Sequence, residues 1–267
     1  MSKNTSCRFS ISNIFVLEKT DKTHWQMKFI KITLAVSIIL NIAAVAFMLS
    51  GGICYDEKNS VSKKIKAIVH QPKSYYFMGR DLIFDVLPAD SQAIVFLGDS
   101  HTEHFLLEEL LGKQHLKNRG ISGDRVKKMI PRLGPIVAMK PKKIFIQGGI
   151  NDLGTEDSKE NLMEYYSELL DEIAMKTPNS KVYLQSVFPT ELKDGSTYCN
   201  LQVNKDLVVV NHFLEQEAKK RGFTYIELYK PLVLNGLLNP DYSFDGIHLT
   251  AEGYLLWTKI LKPYLED

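Results

Sequence analysis

Five short β-prone runs punctuate the chain from residue 93 onward, and stretches with helical spacing of apolar residues lie between and after them. The runs at 93–97, 116–118, 143–147, 182–187 and 223–228 read as strands, and the segments at 102–111, 124–133, 159–176, 203–221 and 250–261 as helices. Strands joined through helices pair in parallel by right-handed crossovers, which leaves helices on both faces of the sheet. The expectation is a three-layer α/β/α domain over 74–267, and no repeat or low-complexity tract competes with it.

The remainder of the chain has a different character. Residues 32–53 carry no charge and are mostly Ile, Leu, Val, Ala, Phe and Met, about the length that crosses a bilayer as a helix. Lys28 and Lys31 precede this run, and Asp56 and Glu57 follow it. The positive-inside rule then keeps residues 1–31 in the cytoplasm and sends the bulk of the chain across. The segment reads either as a retained transmembrane anchor or as the core of a signal peptide that exits at Ser50-Gly51-Gly52, with Met27 as an alternative start. Cys54 does not make a lipoprotein site, because Ile53 stands where a small residue is needed. The polar, lysine-rich stretch at 54–73 suits a linker. The expected location is the membrane, facing the periplasm or the cell exterior, or the medium after cleavage.

With 45% hydrophobic and 24% charged residues, the 267-residue chain can bury a full core. A net charge of +2, with no zinc-finger spacing, P-loop or dinucleotide fingerprint, gives no reason to expect a nucleic-acid partner. Three scattered cysteines form neither a disulfide framework nor a metal cluster.

Four short motifs sit beside the expected strand ends. Gly98-Asp99-Ser100 follows the first strand, and Asn118-Arg119-Gly120-Ile121-Ser122-Gly123-Asp124 follows the second. Gly149-Ile150-Asn151-Asp152 follows the third, and Asp245-Gly246-Ile247-His248 precedes the last helix. In a parallel sheet, ligands bind beyond the carboxyl ends of the strands, so these segments converge on one rim.

Each motif alone has a plainer reading, as a capping serine or a Gly/Asn/Asp turn. Together they supply the parts for acyl transfer. Ser100 is the candidate nucleophile, His248 its base, and Asp245 the group that orients His248. The amides of Ser100 and Gly123 and the side chain of Asn151 are the candidate oxyanion donors. Asp99 and Asp152 are read as structural.

His101 and His104 flank Glu103 without the His-Glu-x-x-His spacing of a metal site and are read as surface or rim residues. Basic residues gather at Lys117, Arg119, Arg125, Lys127, Lys128, Arg132, Lys140, Lys142 and Lys143 and are read as a solvated face. Arg125, close to Gly123, is kept with His101 as a candidate at the substrate rim. The 189–200 segment is expected as a rim loop.

Taken in order over 90–263, the four blocks resemble the GDSL or SGNH hydrolase superfamily, with Ser100, Gly123, Asn151 and His248 as the named residues. Phe96-Leu97-Gly98-Asp99-Ser100 and the segment from Asp245 to Tyr254 resemble its bacterial acetylhydrolase-like branch, related to the platelet-activating-factor acetylhydrolase type. His101 departs from the pattern, since many relatives carry an apolar residue there. The resemblance implies a flavodoxin-like parallel sheet of about five strands and hydrolysis of ester or thioester bonds without metal or cofactor. No Gly-x-Ser-x-Gly elbow occurs, which disfavours the ordinary α/β-hydrolase fold.

The function expected on these grounds is an extracytoplasmic serine esterase that removes small O-acyl groups, acetyl first among them, from substrates such as acylated glycans. Two alternatives stand beside it. One is an envelope O-acetyltransferase with the same serine chemistry, and the other a non-catalytic, membrane-anchored glycan-binding module.

Overall fold

The computed structural model describes residues 75–155 and 157–266. The segments read as cytoplasmic tail, membrane or signal helix, and linker lie outside them. Among the described residues no helix is long and apolar enough to cross a membrane.

The order of elements is α1 (Tyr75–Val86), β1 (Ile94–Gly98), α2 (Ser100–Glu103), α3 (Leu107–Leu111), β2 (Leu116–Gly120), α4 (Val126–Met129), α5 (Gly134–Met139) and β3 (Lys143–Gln147). Then come α6 (Ile150–Gly154), α7 (Lys159–Lys176), β4 (Lys181–Gln185), α8 (Leu201–Arg221), β5 (Thr224–Ile226), α9 (Tyr229–Leu232), β6 (Val233–Leu234), β7 (Leu237–Leu238) and α10 (Ala251–Glu266). β1 to β5 form one sheet in the order β2-β1-β3-β4-β5, with every neighbouring pair parallel. The three-layer expectation is met. The strand order reverses between β1 and β3, which places the binding crevice at the carboxyl ends of those two strands.

Alternation along the strands sorts the core into two layers. Val95, Leu97, Ile144, Ile146, Val182 and Leu184 pack with the buried faces of α7 and α8. The opposite face carries an aromatic ladder. Phe96, Phe145 and Tyr183 are in register across β1, β3 and β4, and their rings stack at 4.6 and 4.4 Å. Phe105, Phe188 and Trp257 pack into the same layer. Trp257 is 1% exposed, and its indole N–H is satisfied by Gln185 Oε1 at 2.8 Å.

Several helices depart from the expected spans, for identifiable reasons. The segment at 102–111 is two helices, because the Asn118 amide takes the carbonyls of Thr102 (2.6 Å), Glu103 (3.2 Å) and Phe105 (3.2 Å). The segment at 124–133 is α4 followed by a 3₁₀ turn at Ile130–Arg132, where Pro131 cannot supply a backbone donor. α10 runs past 261 to Glu266 despite Pro263, held by buried Leu265 and by Lys143 and Lys113, whose ammonium groups donate to the Tyr264 and Leu265 carbonyls at 2.8 and 3.1 Å.

Candidate active site

Ser100 stands where β1 gives way to α2. Asp99 caps the turn, its Oδ1 accepting from the His101 amide at 3.0 Å. α2 is only four residues long, so any helix-dipole effect at Ser100 shrinks to the orphan amides of a single turn. That turn lies directly on β2. A Cβ at Gly120 would collide with the Glu103 amide nitrogen and stand 2.7 Å from the Glu103 Cα. Glycine is what lets the serine turn settle this close to the sheet.

The final motif approaches Ser100 from 148 residues away. His248 Nε2 is 3.0 Å from Ser100 Oγ, and His248 Nδ1 is 2.6 Å from Asp245 Oδ2. The other Asp245 oxygen accepts from the amides of Ile247 (2.9 Å) and His248 (2.7 Å), which fixes the carboxylate within its own loop. Burial works to raise the Asp245 pKa, but the His248 ring and these two amides outweigh it and hold the carboxyl below its ordinary value. Ser243 Oγ staples the loop by donating to the His248 carbonyl at 3.0 Å and accepting from the Gly246 amide at 2.8 Å. The Glu191 amide donates to the Gly246 carbonyl at 2.9 Å, so the expected rim loop buttresses the same segment.

Gly123 and Asn151 come together through Asp124. Asn151 Nδ2 donates to the Asp124 carbonyl at 3.0 Å, which uses one of its two N–H groups and leaves one to aim elsewhere. Gly123 has φ of +76°, a left-handed conformation natural to glycine, and its own turn is closed by the Asp124 amide donating to Ile121 at 3.0 Å. The four motifs thus meet at the β1/β3 switch point. The arrangement holds a serine hydroxyl against an imidazole backed by a carboxylate, beside an amide-bearing turn.

Beneath this site lies a layer of buried charge that the sequence reading missed. Arg119 and Arg132, grouped there with a solvated face, are buried, as is Lys143 at the opposite end of β3, whereas Lys127, Lys128, Lys140 and Lys142 are exposed as expected. Arg132 joins the first motif to the second. Its Nε donates to Asp124 Oδ2 at 2.8 Å, one terminal nitrogen to the Arg119 carbonyl at 2.8 Å and the other to the Gly98 carbonyl at 3.1 Å. Glu103 ties the serine turn to the second motif and to α1, accepting from the Ser122 amide at 2.6 Å and pairing with Arg80 at 3.1 Å.

Burial pushes Asp124 up to about 6 even against its bond to Arg132, and pushes Asp152 up to about 7. Asp152 Oδ2 accepts from the Val126 amide at 3.2 Å, so its expected structural role holds. Asp99 likewise shapes its turn.

His101 requires a correction. Expected at the rim, it is 1% exposed, packed edge-on against Phe188 with ring centroids 4.9 Å apart. The next turn of chain brings His104 to the surface instead, its ring 5.7 Å from His248. On the other side Phe244, 71% exposed, lies nearly parallel to the His248 ring at 6.1 Å. Arg125 stays near the rim, paired with Asp157 at 3.3 Å. Among the described residues no group of three or more His, Cys, Asp or Glu side chains is placed to hold a metal ion.

A Ser–His–Asp constellation at the switch point of a five-stranded parallel sheet defines a class of hydrolase distinct from the elbow-bearing α/β-hydrolases. Residues 96–256 match the GDSL-like Lipase/Acylhydrolase family, more than half of the chain, and the chain belongs to that family. It is an acylhydrolase of the GDSL/SGNH type, a carboxylic ester hydrolase.

Solved structures share the fold. A Streptococcus pneumonia protein described provisionally as a platelet activating factor is 22% identical with a TM-score of 0.64, over 76% of this chain and 97% of its own. A GDSL-like lipase from Bacteroides thetaiotaomicron VPI-5482 is 22% identical with a TM-score of 0.63, over 71% and 97% of the two chains. A mutant of Axe2, an acetyl-xylooligosaccharide esterase from Geobacillus Stearmophilus, is 16% identical with a TM-score of 0.54, over 67% and 96%. No curated protein matches the chain.

Proposed function

We propose that the protein is an extracytoplasmic serine esterase that removes small O-acyl groups, acetyl first among them, from acylated carbohydrate. The observation that carries the chemistry is the unbroken chain from Ser100 Oγ to His248 Nε2 at 3.0 Å and from His248 Nδ1 to Asp245 Oδ2 at 2.6 Å. Ser100 attacks the acyl carbon while His248 Nε2 takes the hydroxyl proton, and Asp245 stabilises the imidazolium that forms. The oxyanion is received by the amides of Ser100 and Gly123 and by the Asn151 N–H not engaged with Asp124. His248 returns the proton to the leaving alcohol, then activates a water that attacks the acyl-serine and releases the acid.

Three features support the substrate and the location. The leaving alcohol lies on the His248 side, where Phe244 presents an exposed aromatic face of the kind that stacks on a sugar ring. A fold relative acts on acetyl-xylooligosaccharide. The apolar run at 32–53, with Lys28 and Lys31 before it, directs the hydrolase portion across the membrane.

The test is Ser100→Ala in the full chain. Hydrolysis of p-nitrophenyl acetate and labelling by a fluorophosphonate are both lost while the circular dichroism spectrum is kept. Turnover at the parent rate in that variant would sink the reading. Acetylated xylo-oligosaccharides, compared with p-nitrophenyl esters of rising chain length, test the substrate class.

A further inference from the structure

Behind the catalytic pair lies a second carboxylate–histidine contact that the reaction does not use. His101 Nε2 is 2.9 Å from the carbonyl of Ile247, the residue before His248, and His101 Nδ1 is 3.3 Å from Asp99 Oδ1. A carbonyl only accepts, so Nε2 carries a proton. Nδ1 faces a carboxylate, which in its ionised form also only accepts. Both ring nitrogens therefore meet acceptors, and the ring that satisfies both is the imidazolium. A neutral ring protonated at Nε2 would turn its lone pair toward a carboxylate whose second oxygen is buried without a partner.

We infer that His101 is a positioning residue: as a buried cation paired with Asp99, it tethers the Asp245–His248 loop to the Ser100 turn, its ring 5.6 Å from that of His248. The inference rests on the reading of His248 as the base of a serine esterase. The tether joins the two ends of the site, since His101 directly follows Ser100 and Ile247 directly precedes His248.

The surroundings fit a charged ring. Asp99 faces it from the end of β1 and Asp245 from the loop, while the Tyr254 hydroxyl of α10 donates to the His101 carbonyl at 3.0 Å and Phe188 covers the ring edge-on. Burial alone pulls the His101 pKa down. The bond and charge of Asp99, the bond to the Ile247 carbonyl and the charge of Asp245 outweigh it, and the net direction is upward.

Two variants and one spectrum test this. His101→Leu removes both the tether and the charge, and kcat for p-nitrophenyl acetate is expected to fall by about ten- to a hundredfold with KM little changed, the penalty of a misplaced base. His101→Gln keeps an N–H that reaches the Ile247 carbonyl and recovers part of the loss. A merely structural role would lower the folded fraction and leave kcat per folded enzyme at the parent value, with no loss for His101→Gln to recover. In nitrogen-15 spectra of the parent protein at pH 7, the ring signal that vanishes in His101→Gln should show protons on both nitrogens. A singly protonated His101, or folded variants with the parent kcat, would overturn the inference. Retained turnover in Ser100→Ala would instead sink the esterase reading itself, so the two failures are told apart.

Discussion

Asn151 Nδ2 donates to the backbone carbonyl of Asp124 at 3.0 Å, so the third motif is bonded to the residue after Gly123 in the second. The amide is preorganised by this bond, with one N–H committed and the other directed by the same planar group. Preorganisation is what makes such a donor effective, because nothing has to reorient when charge develops on the substrate. Asn151→Ala should lower kcat by about a hundred- to a thousandfold with a small change in KM. Steady-state kinetics on p-nitrophenyl acetate read the split, and a change confined to KM would contradict the role.

Asp245 is tied by two backbone amides and by the His248 ring, and its side chain is only about one third exposed. Asp245→Asn keeps the shape, but its amide NH₂ facing His248 Nδ1 favours the wrong tautomer. The expected loss in kcat is on the order of 10²- to 10⁴-fold, with fluorophosphonate labelling slowed in parallel. Because the folded-state pKa of Asp245 is lowered, its contribution to stability is present above its ordinary value and is lost as pH falls through the lowered one. Thermal melts of the parent and the variant should therefore converge at acid pH.

Gly120 is a structural requirement of the serine turn. A methyl group there would overlap the backbone of Glu103, and backbone cannot swing aside as a flexible side chain can. Gly120→Ala should destabilise the domain by about 3 kcal/mol and reduce activity together with the folded fraction. Urea denaturation measures the first. An unchanged midpoint would mean that α2 can lift from β2 at no cost.

The pattern of the sheet and the identity of the reacting residues were legible because each leaves a local mark. Alternating strands and helices announce a parallel sheet, and Ser100, Gly123, Asn151, Asp245 and His248 lie in short blocks beside strand ends. What holds those blocks in place left no such mark. Arg132, Glu103 and Arg80 are charged residues on or near helices, and in sequence a buried arginine with three backbone or carboxylate partners looks the same as a solvated one. His101 departs from the family pattern and reads as a rim residue, since nothing local distinguishes a histidine facing solvent from one facing Asp99 and the Ile247 carbonyl. The helix boundaries failed at 102–111 for a related reason. Asn118, a non-local side chain, ends α2 by taking its carbonyls.

Asp152 offers a pH-dependent test of the buried layer. Desolvation raises its carboxyl to about 7 from 3.8, against the Val126 amide and the charge of Arg125, which act to lower it. The folded protein therefore keeps a proton that the unfolded chain releases between about pH 4 and pH 7, so this group makes stability fall as pH rises through that window. Above about 7 the full cost of the buried charge is present, on the order of a few kcal/mol. Asp152→Asn removes the ionisation and keeps an oxygen for the Val126 amide, which it accepts at 3.2 Å in the parent. The variant should match the parent in melting temperature at pH 4 and exceed it at pH 8, with the difference growing across the window. Asp124 titrates nearby in both proteins and so drops out of the comparison to first order. An equal gain at both pH values would show that the carboxylate is not desolvated, and a loss at pH 8 that its charge contributes to holding the second and third motifs together.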